Sequence, residues 1–432
     1  MRESLLYAFY GDDFTGSTDV LEQLAANGVS SVLFLGPPNA EHLAKFADVR
    51  AIGIAGDSRS RSPEWMSATL PEVFEMLKAL GAPVTHYKVC STFDSSASIG
   101  SIGRAMELGR QIFSSRFNPI VVGAPHLRRY VVFGQLFAAA PDGTVQRIDR
   151  HPMSRHPVTP MHEADLRLHL HKQTAIRIGL VDFTEITSQG GEPALKRELA
   201  MGNEAVLFDT VDAASLASVG AVLWKEALSR RLFSASSSGL TAGLVATWRE
   251  CGLVTTPPPN QEIADASPLL VVSGSCSAVT EGQLVWAFDH GYEGIRIDPA
   301  KLLEDKGRVR AHILNVALEF LAAGRNTILY TALGLPASAS PGELLGRALG
   351  DLLRDILERS RARRVLVCGG DTCSHAVPQL GAYALTWRAN LQAGVPLCTL
   401  HADSRLDGTE IALKGGQIGT DDFFDVVRGV KK

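Results

Sequence analysis

Residues 7–28, YAFYGDDFTGSTDVLEQLAANG, place two adjacent carboxylates, Asp12 and Asp13, where an apolar run stops and helical spacing begins. Gly11 allows a tight turn at that point, Gly16 lets backbone come close to a ligand, and Ser17 or Thr18 can cap the helix that follows. The helix macrodipole favours an aspartate in such a turn, which explains one of the pair as a cap. It does not explain two. Neighbouring side chains diverge, so one carboxylate can serve the helix while the other faces a cleft, where it can hold a hydroxyl or take its proton. Because the two are adjacent, the DxD nucleophile pattern of haloacid-dehalogenase phosphatases is absent.

Other loops add to this chemistry. AGDSRSRSP, residues 55–63, sets Arg59 and Arg61 after a third apolar run, where a guanidinium fork can clamp a carboxylate or phosphate; a solvated loop arginine is the bland alternative. HYKVCSTFDSS, residues 86–96, clusters Lys88, Ser91, Thr92 and Asp94 after a fourth. Three successive runs ending in polar groups suggest a pocket for a small, hydroxylated, anionic molecule. Farther on, VVSGSCS (271–277), VLVCGGDTCS (365–374) and LKGGQIG (413–419) are each a β-like run ending in Gly with small hydroxyl or amide residues. Singly each reads as a turn, but three together favour loops whose backbone N–H groups cradle phosphate. No GxxxxGK[ST] loop occurs and no GxGxxG follows a run, so a nucleotide site must be of another kind. His151, His156, His162, His169 and His171 match no compact ligand spacing. The last three fall on one predicted helix without sharing a face. Hydrogen-bonded loop or surface roles are expected for these histidines, no metal ligand is assigned, and His151, Arg155 and His156 are candidates to line the cleft.

The elements that must position these loops follow from periodicity. Apolar runs at 5–10, 30–35, 50–55, 84–89 and 118–125 alternate with helical spacing near 17–27, 40–47, 63–80 and 98–113. In the first helix Val20, Leu21, Leu24 and Ala25 share a face, and Gly28 stands where a C-terminal cap belongs. The alternation predicts a parallel sheet covered on both faces, with ligands at the carboxyl ends of its strands. Residues 126–160 break the pattern with a PDG turn between β-formers, predicting a hairpin, and an irregular Pro and His segment. Alternation resumes through runs at 175–181 and 203–211 and a small-residue helix at 236–248. TTPPPNQEIADAS is the predicted linker. The expected fold is therefore α/β with two domains, 1–254 and 268–432 joined by 255–267, each a mostly parallel sheet flanked by helices, with the active-site cleft between them. In the second domain helices are expected near 307–323 and from Pro341 to Arg361.

Bulk properties agree with an enzyme body. The 432 residues are 45% hydrophobic and 20% charged, and a formal charge of -4 gives no global basic field, so nucleic acid is not an expected partner. The N-terminus lacks the apolar core of a signal peptide, and no stretch approaches the roughly 18 uncharged apolar residues of a membrane helix. A cytoplasmic protein that does not engage membranes is expected. Six scattered cysteines without a CxxC pair are read as reduced.

GDDFTGS, DSRS, VVSGSCS, GGDT and the ending LKGGQIGTDDFF, in this order along nearly the whole chain, resemble the four-carbon acid sugar kinase family, formerly a family of unknown function. The resemblance implies an ATP-dependent kinase with an N-terminal acid-sugar-binding domain and a C-terminal nucleotide-binding domain, acting on a threonate, erythronate, 3-oxo-tetronate or 3-oxo-isoapionate. It implies that Asp13 or Asp12 orients the accepting hydroxyl and takes its proton. Arg59 and Lys88, with Ser91 and Thr92, would meet the acid. ATP would meet Ser273 and Ser275, the turn Gly369, Gly370, Asp371 and Thr372, and Gly415 and Gly416. Mg2+ would accompany ATP, with Asp371 as an alternative holder of the ion, and a homodimer is the assembly to be tested. CSTFDSS departs from the CDST followed by Gly common in the family, which leaves room for a branched acid. A non-catalytic sensor of sugar acid or nucleotide is the rival, and a sugar-acid phosphatase or isomerase a third reading.

Overall fold

The computed structural model describes residues 5–140, 143–155, 158–254, 262–304, 307–334 and 342–430. The chain divides into two compact units, one of residues 1–32 and 39–258, the other of residues 33–38 and 259–432.

The first unit contains β1 (Tyr7–Gly11), the first two residues of β2 (Ser31–Phe34), β3 (Ala51–Ala55), β4 (Val84–Lys88), β5 (Asn118–Val121), β6 (Arg129–Val132), β7 (Gln135–Ala139), β8 (Val145–Arg147), β9 (Ile178–Val181), β10 (Ala205–Phe208) and β11 (Leu232–Ser236). Its main sheet runs β11-β4-β1-β3-β2, and the β11/β4, β4/β1 and β1/β3 pairs are parallel. Every residue of β1, β3, β4 and β11 is buried, which is why β1, β3 and β4 read as near-continuous apolar runs rather than alternating ones. The fifth run departs from the expected single sheet: β5 joins β10 and β9 in a separate parallel sheet. The expected hairpin is present as antiparallel β6-β7-β8, with Ala139 opposite Val145; Pro141 and Asp142 of its PDG turn lie outside the described residues.

Helix Phe14–Ala25 buries Val20, Leu21 and Leu24 completely, and Gly28 at φ 92° turns the chain towards β2. Its N-cap is Asp13 rather than Ser17 or Thr18: the Asp13 carboxylate accepts the Gly16 N–H, so the helix starts earlier than its apolar stripe indicates. The fourth helix, Ile102–Phe113, starts later than expected because Ser101 caps it. Gly100 precedes the cap at φ 61°, and a Cβ there would fall 2.4 Å from the Arg59 carbonyl oxygen. Met66, Leu70, Phe74 and Leu77 of helix Pro63–Ala79 pack with Tyr10, Tyr87 and Phe233 in the main core.

The second unit contains β12 (Leu270–Ser273), β13 (Glu293–Arg296), β14 (Thr327–Tyr330), β15 (Arg364–Cys368), β16 (Ala382–Gln392), β17 (Val395–Ala402) and β18 (Glu410–Lys414). Its sheet runs β16-β17-β18-β15-β12-β14-β13. The five strands from β18 to β13 are parallel and the β16/β17 and β17/β18 pairs antiparallel; Leu33 and Phe34, which belong to this unit, pair with β16. Helices Ala278–Asp289, Arg308–Ala322 and Gly342–Arg359 supply its apolar partners. Pro341, the expected start of the last of these, lies outside the described residues, as do residues 255–261 of the expected linker. Residues 264 and 266 bond into this unit, through Ala264 O to Arg364 Nη1 (3.0 Å) and Ala266 N to Arg428 O (2.9 Å). Among the described residues no helix is long and apolar enough to cross a membrane, and all six cysteines are free thiols.

Candidate functional site

In the first unit the strand register sets the geometry. Gly11 ends β1 level with Ala55 of β3 and Lys88 of β4, and Lys88 is level with Ser236 of β11. Four loops therefore leave adjacent parallel strands side by side, the place where open α/β sheets hold ligands. Backbone bonds fasten them: Gly56 N to Gly11 O (2.9 Å), Asp12 N to Lys88 O (2.9 Å) and Arg59 N to Asp12 O (3.1 Å).

Asp12, Asp13 and Arg59 come together as one cluster. The guanidinium takes Asp12 in its fork, Nη2 to Oδ1 at 2.7 Å and Nε to Oδ2 at 3.2 Å, and its Nη1 lies 2.9 Å from Asp13 Oδ2. The fork expected to receive a substrate carboxylate is thus engaged by the two aspartates, since two buried carboxylates need a counter-charge. Asp13 is further committed, accepting from Gly16 N (2.7 Å) and Thr15 Oγ1 (2.7 Å). Burial raises the Asp12 carboxyl to about 6; Asp13 adds to the rise, and Arg59 and Lys88 oppose it. Burial also disfavours the Arg59 charge, but Asp12 and Asp13 outweigh it and hold the guanidinium firmly protonated.

Lys88 is buried, with Nζ 3.8 Å from Asp19 Oδ2. Gly16 is required here, because a Cβ would sit 2.5 Å from Asp13 Oδ1 and 2.9 Å from Lys88 Nζ. Sequence reasoning missed Asp19, which reads as a polar residue of a helix surface; it is buried and also faces His126 Nε2 at 3.9 Å. Burial opposes its charge, yet His126, Lys88 and Ser238 outweigh burial and hold its carboxyl below the usual range. Ser238 follows β11 and its hydroxyl lies 3.5 Å from His126 Nε2. The signal that could have found it was SASSSG, a fourth run ending in small hydroxyl residues. Ser91 and Thr92 are buried beside this row; Thr92 Oγ1 donates to Asp94 Oδ1, whose other oxygen accepts from Thr159 (3.2 Å). Arg61 lies apart from this cluster's ion pairs, bonded to Asp57 and stacked on Trp65 at 5.4 Å.

The histidines do not form a group. His169 pairs with Ser95 Oγ (2.9 Å), and burial drives its imidazole down to about 4. The His151 ring contacts Ala139 O (3.1 Å) and the Met153 N–H (3.1 Å), and Arg155 is exposed. His162 precedes helix Leu166–His171 instead of lying on it, because Asp165 caps that helix. His156 lies outside the described residues.

In the second unit three loops meet by the same logic. Ser273 ends β12 level with Cys368 of β15, and Cys368 is level with Lys414 of β18. Gly369 N bonds Lys414 O (2.8 Å) and Gly274 N bonds Cys368 O (3.2 Å). Gly369 has φ 108°, and a Cβ on it would approach Ser275 N to 3.3 Å; on Gly416 one would approach Ser275 Oγ to 2.9 Å. The surface between Ser275, Gly369 and Gly416 is therefore bare backbone, of the kind a phosphate chain approaches closely. The amides of Gly370, Asp371 and Thr372 open helix Gly370–Ala376 and have no preceding turn to bond. Ser273 differs from Ser275: its hydroxyl is fully buried and, among the described residues, without a hydrogen-bond partner.

Sequence reasoning passed over the residue that holds these loops together. Lys414 is completely buried, and its Nζ donates to Thr280 Oγ1 (3.1 Å), Gly415 O (3.1 Å) and Ile418 O (3.0 Å). Ser277 and Thr280 both donate to Gly416 O, Thr280 at 3.1 Å. No carboxylate lies within ion-pair distance of Lys414 among the described residues, and burial pulls its pKa down. Among the described residues no group of three or more His, Cys, Asp or Glu is placed to hold a metal ion. The donors in these loops thus suit a nucleotide polyphosphate; a divalent ion would depend on the phosphate oxygens, with exposed Asp371 the carboxylate nearest to hand in the sequence of these loops.

Comparison with known proteins matches residues 7–244 to a sugar-binding N-terminal domain and residues 270–424 to a nucleotide-binding C-terminal domain. The chain is 44% identical to a 3-oxo-isoapionate kinase of Paraburkholderia graminis, the match covering 98% of this chain and 94% of the relative. It is 30% identical to a 3-oxo-tetronate kinase of Pseudomonas savastanoi pv. phaseolicola, covering 96% and 94%. Two solved structures share the fold at 23% identity: a Haemophilus influenzae protein with TM-score 0.71, covering 98% of this chain and 99% of that one, and a Salmonella typhimurium protein with TM-score 0.77, covering 98% of each.

Proposed function

The chain belongs to the four-carbon acid sugar kinase family, and from that premise we propose that it transfers the γ-phosphoryl group of ATP to a terminal hydroxyl of a small branched sugar acid of the 3-oxo-isoapionate type. The observation that carries the reading is the row of level strand ends in the first unit, where Asp12, Asp13, Arg59 and Lys88 are assembled. The preference for a branched acid over a tetronate rests on 44% identity to the 3-oxo-isoapionate kinase against 30% to a 3-oxo-tetronate kinase.

In phosphoryl transfer the protein mostly positions groups and neutralises charge. Asp12 is the residue proposed to orient the accepting hydroxyl and receive its proton. Its carboxyl, near 6, is ionised at neutral pH yet close enough to that range to be an effective base, whereas Asp13 is committed to the helix cap and Thr15. Arg59 keeps both carboxylates in place. Lys88 and the Ser91 hydroxyl are left to meet the acid, while Thr92, whose hydroxyl donates to Asp94, can only accept from it. The amides around Ser275, Gly369 to Thr372 and Gly416 would hold the polyphosphate, with Lys414 fixing the Gly415–Ile418 loop. Mg2+, held by Asp371 and the phosphates, would supply charge neutralisation on the transferred group. Turnover requires the acid held by one unit and the phosphate held by the other to meet.

The test is ADP release with a panel of 3-oxo acids and tetronates. Wild type should work best on 3-oxo-isoapionate. Asp12→Asn should lose about 10² to 10⁴ in kcat, the usual worth of a positioned base, while still binding the acid. An Asp12→Asn variant with wild-type kcat would remove the base assignment.

A further inference from the structure

The cations of the first unit are not equally provided for. Arg59 has Asp12 and Asp13, and Lys88 has Asp19. Arg129 has neither kind of partner. It opens β6 and is fixed to the segment after β5 by paired backbone bonds, Ala124 N to Arg129 O (2.9 Å) and Arg129 N to Ala124 O (3.2 Å). Its Nη1 donates only to carbonyls, Leu127 O (3.1 Å), Arg128 O (3.3 Å) and Ala139 O (3.2 Å), while its Nε is buried with no hydrogen-bond partner. Among the described residues no carboxylate lies within ion-pair distance of it. Arg129 is half-buried, and burial lowers its tendency to hold a proton.

Its position ties it to the row of strand ends. His126, three residues earlier, faces Asp19 at 3.9 Å and Ser238 Oγ at 3.5 Å. The Cys90 thiol lies in the field of Arg129, and that same thiol lies in the fields of Arg59, Asp94 and Lys88. One cation of this group therefore lacks the anion that would make its burial favourable, and the substrate proposed above brings one.

We propose that Arg129 is the specificity-determining residue that receives the carboxylate of the sugar acid, in place of the Arg59 fork that the aspartates already fill. This rests on the kinase reading of the site. The carbonyl contacts of Nη1 lock the guanidinium plane and Nε is closed off by the protein, so Nη2 is the nitrogen left to meet the acid, a single preorganised charge-assisted contact.

The experiment compares kcat/KM for 3-oxo-isoapionate with that for its neutral carboxamide, in wild type, Arg129→Gln and Arg129→Lys, at saturating ATP·Mg2+. Wild type should favour the acid strongly. Arg129→Gln should lose about 10²-fold on the acid, mainly through KM, with little change on the carboxamide and none in the KM for ATP; Arg129→Lys should fall between. Thermal midpoints of the free proteins establish that each variant folds. If acid and carboxamide fall by the same factor, or Arg129→Gln keeps the wild-type preference, Arg129 merely braces carbonyls and the assignment is wrong while the kinase reading stands. A wild type that phosphorylates no sugar acid defeats the kinase reading and this assignment together.

Discussion

The two units put their loops at level parallel strand ends, yet they furnish those ends oppositely. In the first, charged side chains cross from one loop to another, with Arg59 of one loop held by Asp12 and Asp13 of its neighbour. In the second, backbone does the work: Gly369 and Gly416 clear the surface, and Lys414, the buried cation at these strand ends, is spent on two carbonyls and a hydroxyl. The difference follows from what each would recognise. A small acid carries one charge and a particular arrangement of hydroxyls, and only placed side chains can tell it from similar acids. A polyphosphate carries many equivalent oxygens, for which a surface of amides suffices.

Arg59→Met should break the contrast most severely. It leaves two carboxylates buried without their counter-charge, and breaking such a pair costs about 3–5 kcal/mol of stability. Urea unfolding at pH 7.5 should show that loss. At pH 5.5 part of it should return, because the freed carboxylates take up a proton. A variant equally stable at both values would mean that the pair is not buried as a charged unit.

Lys414→Met should have a smaller and different effect. It removes a buried charge, which favours the fold, and takes a donor from three acceptors, which opposes it, although Ile418 O keeps Gln283 and Thr280 Oγ1 keeps Ser277, so global stability should move by no more than about 2 kcal/mol. The Gly415–Ile418 loop loses its anchor, and the KM for ATP should rise about 10- to 100-fold, as the loss of three hydrogen bonds of about 0.5–1 kcal/mol each would give. Dissociation of the sugar acid, measured by calorimetry without nucleotide, should be unchanged. A parallel loss of acid binding would erase the proposed division of labour.

How far the sequence reveals this contrast depends on what kind of residue carries it. The loops were legible, because an apolar run followed by Gly and small polar residues is a strong local signal, and so was the alternation that gives β1, β3 and β4. β11 was not: LFSAS does not read as a core strand, since Ser234 and Ser236 are tolerated in the sheet only through the Pro119 carbonyl and the Val121 N–H. The half-exposed β16 likewise lacks a simple pattern, being broken by bulges against β17. Within the site, GDDFTG announced both aspartates, but which one caps depends on where the helix begins, and its apolar stripe starts later than its backbone does. The partner of Arg59 was illegible because a substrate and a neighbouring loop offer the same carboxylate. Asp19, Arg129 and Lys414 gain their meaning only from burial, which no spacing rule reports.

The smallest expected effect is the pH dependence, and it separates chemistry from fold. With its carboxyl near 6, Asp12 should impose a limb on kcat/KM for the sugar acid at saturating ATP·Mg2+: flat above about pH 7 and falling tenfold per unit well below 6. The fold should not follow. Asp12, raised from 3.8 to about 6, binds its proton more tightly folded than unfolded, so its contribution to stability is present at low pH and lost as pH rises through about 6. His86 has the opposite sign. Buried between Tyr7 OH (2.7 Å) and Ser236 O (2.8 Å), its imidazole is driven by burial from 6.5 to about 3, so its contribution is present above 6.5 and lost as pH falls. At about 1.4 kcal/mol per unit the two amount to roughly 3 and roughly 5 kcal/mol, and they oppose each other between pH 6.5 and 4. His169, lowered to about 4, adds to the His86 side and Asp209, raised to about 6, to the Asp12 side, so the thermal midpoint should shift little from pH 7 to 5.5 while kcat/KM drops several-fold. An activity limb near 4, or one that tracks the melting curve, would take Asp12 out of the proton transfer.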